Sequence, residues 1–377
     1  MKFLVFIFIM LQTYGYCACE VALKKLDTHI QKHLKAKKIV GCAVAVVYAD
    51  KIIFMKAYGL KNKSIPNAAV DLETVFQLGS ISKPITATLV CILNKAGLLS
   101  LNDYVNPFHP ELKLPTTVKH LLTHSSGFAK LGWNYKIEAK ISRQELLAGL
   151  LNSPQQNPGD KFDYHNLAYS LIEDVLEETQ QQTFKNIVTT KLFQPCHMVN
   201  ATVGFKDFVK QDNKAWPHYQ DKKHNLRPYK GYSTNYHNTA ASAAGMNANI
   251  KDMAQFLLAQ LNCLAGICDS ADLEPFHTPV IAANDAALWF EGVFTCAIKS
   301  YYGIGWRIIE TPDQRIIFHG SILNGFRNFL AFDKKSKIGI VILNNSDSGF
   351  AATTSLTFLS KWQQMGQSPK KSQEKTA

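Results

Sequence analysis

The chain has 377 residues, 46% of them hydrophobic and 19% charged, with a formal net charge of +12. That composition supports a globular protein with a large core, built as two domains or as one domain with two lobes. Beyond the first residues no stretch holds eighteen uninterrupted apolar residues, which excludes a multispanning membrane protein.

The chain opens with "MKFLVFIFIMLQTYGYCACE". Lys2 supplies a positive end, Phe3 to Leu11 an apolar run, and Ala18 or Cys19 a small residue before Glu20. This predicts a secretory signal peptide over residues 1–19 and a secreted or periplasmic protein. Cys17 and Cys19 hint at lipoprotein processing, but the aliphatic residue three places before the cysteine is missing, so no membrane anchor is predicted. "VALKKLDTHIQKHLKA" has helical periodicity, with Val21, Leu23, Leu26, Ile30 and Leu34 assigned to one face. "IVGCAVAVVYADKIIFMKAYGL" reads as a hairpin turning at Ala49-Asp50-Lys51.

A long helix is expected after Ser80, and residues from about Asp103 to Gln260 are expected to be mainly helical. Loops are expected around Pro154 to Pro158, and the stretch from Gln211 to Asn238 is polar. "IKDMAQFLLAQL" from Ile250 is a further amphipathic helix. Strand signals return in "YGIGWRII", "QRIIFHG", "FRNFLAF" and "KIGIVILNN". A helix, "FAATTSLTFLSKWQQM", and a polar tail over residues 363–377, expected to be disordered, close the chain. Strands at both ends with helices between them imply an α/β (α+β) fold whose sheet is completed by both termini. The inserted helical lobe spans about 80–244 and the α/β lobe about 20–79 and 245–362, with a cleft expected at their boundary.

Lysines and arginines are scattered rather than interleaved with aromatics, and no nucleic-acid-binding signature is present. The positive charge therefore reads as a solvated surface, with no nucleic-acid partner. Cys42 and Cys91 lie in apolar runs and read as buried thiols. Cys263 and Cys268 are close enough in sequence to bridge in an oxidising compartment, and the pairing of these two and Cys296 stays open. No CxxC pair argues for a structural zinc. His120 and His124 stand four apart without a following glutamate or a third ligand, so they read as structural.

Three stretches carry candidate chemistry. In "VFQLGSISKPITATLV", Ser80 and Lys83 sit one helical turn apart. A serine hydroxyl becomes a nucleophile once a neighbouring base takes its proton, and a desolvated lysine can be that base. At a helix start the serine's own N–H faces a developing oxyanion. The spacing alone equally fits a capping serine and a surface lysine, and it recurs at Ser368-Lys371 and Ser372-Lys375 in the tail. In "NPGDKFDYHNLAYSLIEDVLE", Tyr164 and Asn166 stand in a loop before a helix, where a phenol can relay protons and an amide can orient a lysine. Tyr-x-Asn also occurs at Tyr104-Asn106 and Tyr236-Asn238. In "IIFHGSILNGFRNFLAF", His319 ends a strand beside Gly320, Ser321 and Ile322, where a cationic or donating side chain can hold a substrate carboxylate.

Together these stretches, in this order, resemble the serine β-lactamase and penicillin-binding protein superfamily, in its class C β-lactamase-like branch, which includes D-Ala-D-Ala carboxypeptidases, D-aminopeptidases and esterases. "AVAVVYADK", "VKHLLTHSSGF", "LFQPCHM", "YYGIGWRI" and "KIGIVILNNSD" extend the resemblance over nearly the whole chain. It implies an antiparallel sheet flanked by helices with an all-helical lobe, and an acyl-enzyme hydrolase without metal or cofactor. Ser80 would be the nucleophile, Lys83 its base and Tyr164 a proton shuttle. Asn166 would position Lys83 and the substrate, and the N–H groups of Ser80 and Ile322 would form the oxyanion hole. The implied substrates are β-lactams or D-alanyl peptides, with small esters as the alternative and a non-catalytic penicillin-binding sensor as another; the protein is expected to be a monomer. His319-Gly320-Ser321 stands where the family has Lys-Thr-Gly, which is closer to its peptidases and esterases. Gly132 stands where class C β-lactamases carry an amide-binding glutamine.

Overall fold

The computed structural model of the chain describes residues 2–129, 133–139, 141–262, 267–284, 293–294, 296 and 298–366. Gly132, Cys263 and the tail from residue 367, with its two Ser-x-x-Lys repeats, lie outside the described residues. Helix α1 (Lys2–Lys35) leads into a hairpin of β1 (Gly41–Tyr48) and β2 (Lys51–Gly59). Helix α2 (Ser82–Lys95) begins the central part of the chain, and α3 (Ile250–Asn262) lies near its end. The remaining strands are β3 (Ile281–Ala282), β4 (Lys299–Tyr302), β5 (Arg307–Glu310), β6 (Arg315–Gly320), β7 (Phe329–Asp333) and β8 (Ile338–Asn344), followed by α4 (Phe350–Gly366).

These strands form one eight-stranded sheet in the order β2-β1-β8-β7-β6-β5-β4-β3, and every neighbouring pair is antiparallel. The N-terminal hairpin enters it by pairing β1 with β8, from Cys42 opposite Asn344 to Tyr48 opposite Ile338. The sheet is thus completed by both ends of the chain. Strand residues are apolar at both parities because both faces are covered. Ala43, Ala45 and Val47 join the larger core with α2 and α3, while Cys42, Val44 and Val46 join a second core with α1 and α4.

In α1, Ala22, Leu26 and Ile30 are buried, whereas Val21 is 45% exposed. A helix advances about 100° per residue, so the row through Leu26 and Ile30 passes through position 22 and leaves Val21 outside it. Among the described residues no helix is long and apolar enough to cross a membrane.

The region expected to be mainly helical contains helices at Val118–Leu122, Trp133–Glu138, Arg143–Leu151, Asn166–Tyr169, Leu171–Gln180 and Phe184–Val188. It also contains strands that helical periodicity did not reveal. Met246–Ala248 pairs with Phe76–Gln77 on one side and Thr202–Val203 on the other. His218–Gln220 and Leu226–Pro228 form a hairpin inside the polar stretch. Its turn is made by Asp221, whose Oδ1 accepts the N–H groups of Lys223 at 2.9 Å and Asn225 at 2.8 Å. Strands of two or three residues are too short to show an alternating pattern.

Cys42 and Cys91 are buried, and Cys268 places its Sγ 3.9 Å from that of Cys91.

Candidate active site

Strand residues Phe76–Gln77 deliver the chain to a 3-10 turn, Gly79–Ile81, from which α2 starts at Ser82. Gly79 has φ +56°, and a Cβ there would lie 2.2 Å from Ser321 Oγ, so only glycine fits the turn that carries Ser80. Every residue of α2 from Ser82 to Leu93 is buried, which explains why apolar residues fall on all sides of this helix. Pro84 sits in the first turn, where a missing N–H costs no helical bond. Ile81 is the N-cap and makes no side-chain capping bond, so Ser80 is not the capping serine that its spacing also allowed.

Lys83 is fully buried, and its Nζ lies 3.5 Å from Ser80 Oγ. The amine also donates to Asn166 Oδ1 at 2.6 Å and to the Ala243 carbonyl at 2.9 Å. Burial, and then the Arg307 guanidinium, holds the amine well below the usual lysine range. A lysine in that setting is a usable base near neutrality.

Tyr164 lies in the loop before the helix Asn166–Tyr169, which His165 caps by accepting the Ala168 N–H on Nδ1 at 3.1 Å. Lys83 Nζ stands 4.6 Å from the centroid of the Tyr164 ring, and the His124 ring packs against that ring at 4.1 Å, tilted by 37°. Asn166 Nδ2 donates to Asn134 Oδ1 at 3.0 Å, which leaves its oxygen turned to Lys83. Of the two other Tyr-x-Asn triplets, one lies elsewhere: Tyr104 is 56% exposed while Asn106 ties a loop together. Tyr236, buried in the helix Asn235–Thr239, borders the site, with its phenol hydrogen-bonded to the Asn166 side chain and Tyr164 nearby.

The end of β6 approaches the same point. Ser321 is buried against Gly79, and the Ile322 side chain beside it is 57% exposed. His319 is 1% exposed. Its Nε2 lies 3.1 Å from Tyr302 Oη and its Nδ1 2.8 Å from the Gly320 carbonyl. Burial, with Lys83 and Arg307 nearby, pushes this imidazole well below its ordinary pKa. Of the two ways in which His319 was expected to hold a substrate carboxylate, as a cationic or as a donating side chain, these surroundings disfavour the cationic one. Both ring nitrogens are engaged within the protein, and the surroundings favour the neutral ring. Ser321 likewise packs beneath the nucleophile turn instead of facing an open cleft.

Three participants were not singled out from sequence. Arg307, 6% exposed on β5, places its Cζ 5.2 Å from the Tyr164 ring and 5.6 Å from the Tyr302 ring. A charged residue inside the strand "WRII" was the available signal. Tyr302 had none, being one of several strand aromatics. The Ala243 carbonyl is a backbone group and leaves no trace in side-chain pattern. His120 and His124 hold protein groups, as a structural role requires. His120 Nδ1 accepts the Thr117 N–H at 3.2 Å, and His124 Nδ1 accepts the His165 N–H at 3.1 Å. Among the described residues no cluster of three or more metal-ligating side chains occurs.

A family profile described as Beta-lactamase matches residues 26–358. The chain belongs to the Beta-lactamase family. Protein flp of Staphylococcus aureus (strain NCTC 8325 / PS 47) is 22% identical to this family member over 347 residues, or 87% of the chain. The match spans 64% of the length of protein flp. Beta-lactamase-like protein 4 of Dictyostelium discoideum is 26% identical over half of the chain and 37% of its own length. Among solved structures, the octameric penicillin-binding protein homologue from Pyrococcus abyssi superposes with a TM-score of 0.78 at 22% identity, over 90% of this chain and 77% of that one. EstCE1, a hydrolase with promiscuous acyltransferase activity, gives 0.77 at 18% identity, over 90% and 99%. These likenesses support the β-lactamase-like serine hydrolase fold, with its antiparallel sheet and flanking helices.

Proposed function

We propose that this protein is an exported serine hydrolase acting through an acyl-enzyme on Ser80, with β-lactams or D-alanyl peptides as substrates. One observation carries the reading: a fully buried lysine, held off its usual protonation, lies 3.5 Å from the hydroxyl of a serine at the start of a buried helix. In this reading Lys83 takes the Ser80 proton as Oγ attacks the scissile carbonyl. Tyr164 passes a proton to the leaving group, and the N–H groups of Ser80 and Ile322 receive the oxyanion. One such donor is worth roughly 3–4 kcal/mol in the transition state. Export rests on the apolar N-terminal run.

A second reading, a small-ester hydrolase with the same machinery, is favoured by His319. A buried neutral ring bonded to Tyr302 and Gly320 offers no cation to a substrate carboxylate. Mixing the protein with a labelled penicillin and with a p-nitrophenyl ester, followed by peptide mass spectrometry, is expected to place an acyl adduct on Ser80. Absence of any adduct from either reagent would sink the acyl-enzyme reading. Turnover of nitrocefin, a D-Ala-D-Ala peptide and the ester then chooses the substrate class.

A further inference from the structure

We propose that Glu173 is a positioning residue for the Lys83 base, acting through Ser242. This rests on the acyl-enzyme reading of Ser80. The Ala243 carbonyl that accepts Lys83 Nζ belongs to a four-residue helix, Ala241–Ala244, built only of alanine and serine. Small side chains pack too little surface to fix such a short turn by themselves. Its one polar residue, Ser242, is held from two sides, through its hydroxyl and N–H on one and its carbonyl on the other. Glu173 Oε1 accepts both the N–H and the Oγ–H of Ser242 at 2.7 Å. Thr86 Oγ1, one turn beyond Lys83 on α2, donates to the Ser242 carbonyl at 2.9 Å. The clamp fixes the peptide next to the carbonyl that holds the base, and so sets the direction from which Lys83 reaches Ser80.

Glu173 is itself buried, 8% exposed, on the helix Leu171–Gln180. Arg143 lies beside it with Nε 3.9 Å from Oε2 and reaches on to Asp174, which also meets His109 Nε2 at 3.2 Å. Burial raises the Glu173 carboxyl to about 7, so keeping an acid here carries a cost. Its two hydrogen bonds to Ser242 are what that cost obtains.

The test compares Glu173→Ala, Glu173→Gln and Thr86→Val with the wild type, counting acylated Ser80 by mass so that kcat is expressed per active site. Turnover of the p-nitrophenyl ester or nitrocefin, whichever the wild type hydrolyses, is the readout. Glu173→Ala is expected to lower kcat by about ten- to a hundredfold with KM within about threefold, as for a base displaced by up to about an ångström. Glu173→Gln, which keeps an acceptor, is expected to recover to within about threefold. If Glu173→Ala does not fold, Thr86→Val removes the opposite jaw and is expected to lower kcat per site about threefold or more. Unchanged kcat per site in Glu173→Ala, or in Thr86→Val where the former is unfolded, would overturn the positioning role. A wild type that never acylates would instead defeat the reading beneath it.

A separate observation assigns a cross-link. Cys91 on α2 and Cys268 are 1% and 3% exposed, and their sulfurs lie 3.9 Å apart. The same segment is tied to α2 by Cys91 Sγ, 3.3 Å from the Asp272 carbonyl, and by the Lys95–Asp272 ion pair. We infer that Cys91 and Cys268 form a disulfide under oxidising conditions, with oxidised glutathione or a similar disulfide as oxidant. The Cys268 thiolate attacks the oxidant and releases one thiol; the Cys91 thiolate then attacks the mixed disulfide and releases the second. The sulfurs close to the roughly 2.05 Å of a bond, and the two protons end on the released thiols.

Non-reduced peptide mapping after folding with oxidised glutathione is expected to show the Cys91–Cys268 linked pair. It should be accompanied by a Tm about 5 °C above that of the reduced protein, lost in both Cys91→Ser and Cys268→Ser. A Cys263–Cys268 link, or both thiols still open to alkylation after that treatment, would overturn the assignment.

Discussion

Ser80→Ala is expected to abolish turnover, by about four orders of magnitude or more, while the protein still folds. The hydroxyl is the only group removed, and in the proposed mechanism its oxygen forms the bond to the acyl group. The structure also says why folding survives. Ser80 lies in the turn before α2 and makes no capping bond there, since the N-cap is Ile81. Its loss therefore costs less than the roughly 1 kcal/mol of a true cap. Steady-state turnover and thermal unfolding of the variant check both halves, and retained activity would refute the nucleophile.

The second large effect is at Lys83. Lys83→Arg is expected to reduce kcat/KM by about a thousandfold or more, because a guanidinium keeps the charge and cannot act as a base. The wild-type pH profile tests the same point with its sign. The base works when neutral, so kcat/KM rises with pH through the pKa of the folded lysine. Burial and Arg307 place that rise well below the usual lysine value of 10.5. Arg307→Met removes the neighbouring cation, which raises the lysine pKa and moves the acid limb to higher pH. A limb that stays in place, or moves down, would show that Arg307 does not tune this base. The same depression affects stability. Between the folded and unfolded pKa of Lys83 the unfolded chain binds more protons, so this group makes folding more favourable as pH rises through that window.

Much of the site was legible in the sequence because its parts are local. Ser80 and Lys83 share one helical turn, and Tyr164 and Asn166 share one loop–helix junction; short spacing in regular structure fixes such neighbours. Chain order could not show that Asn166 Oδ1 lies 2.6 Å from Lys83 Nζ, because 83 residues separate them. The same holds for Arg307, which comes from a strand on the far side of the helical region, and for the Ala243 carbonyl. Glu173 reads in sequence as one more polar residue on an amphipathic helix, and only packing shows that its carboxyl is buried against Ser242.

His319 marks the boundary most clearly. The sequence by itself determined that a histidine ends a strand beside Gly320, and that apolar strands from both ends of the chain complete one sheet. Periodicity and residue type are local properties, and they suffice for that. Whether the histidine is a cation open to substrate or a neutral ring turned inward depended on burial and on the approach of Tyr302 and Arg307. Solvation and Coulomb interactions act through space between distant segments, so the tertiary structure alone decided what chemistry His319 presents.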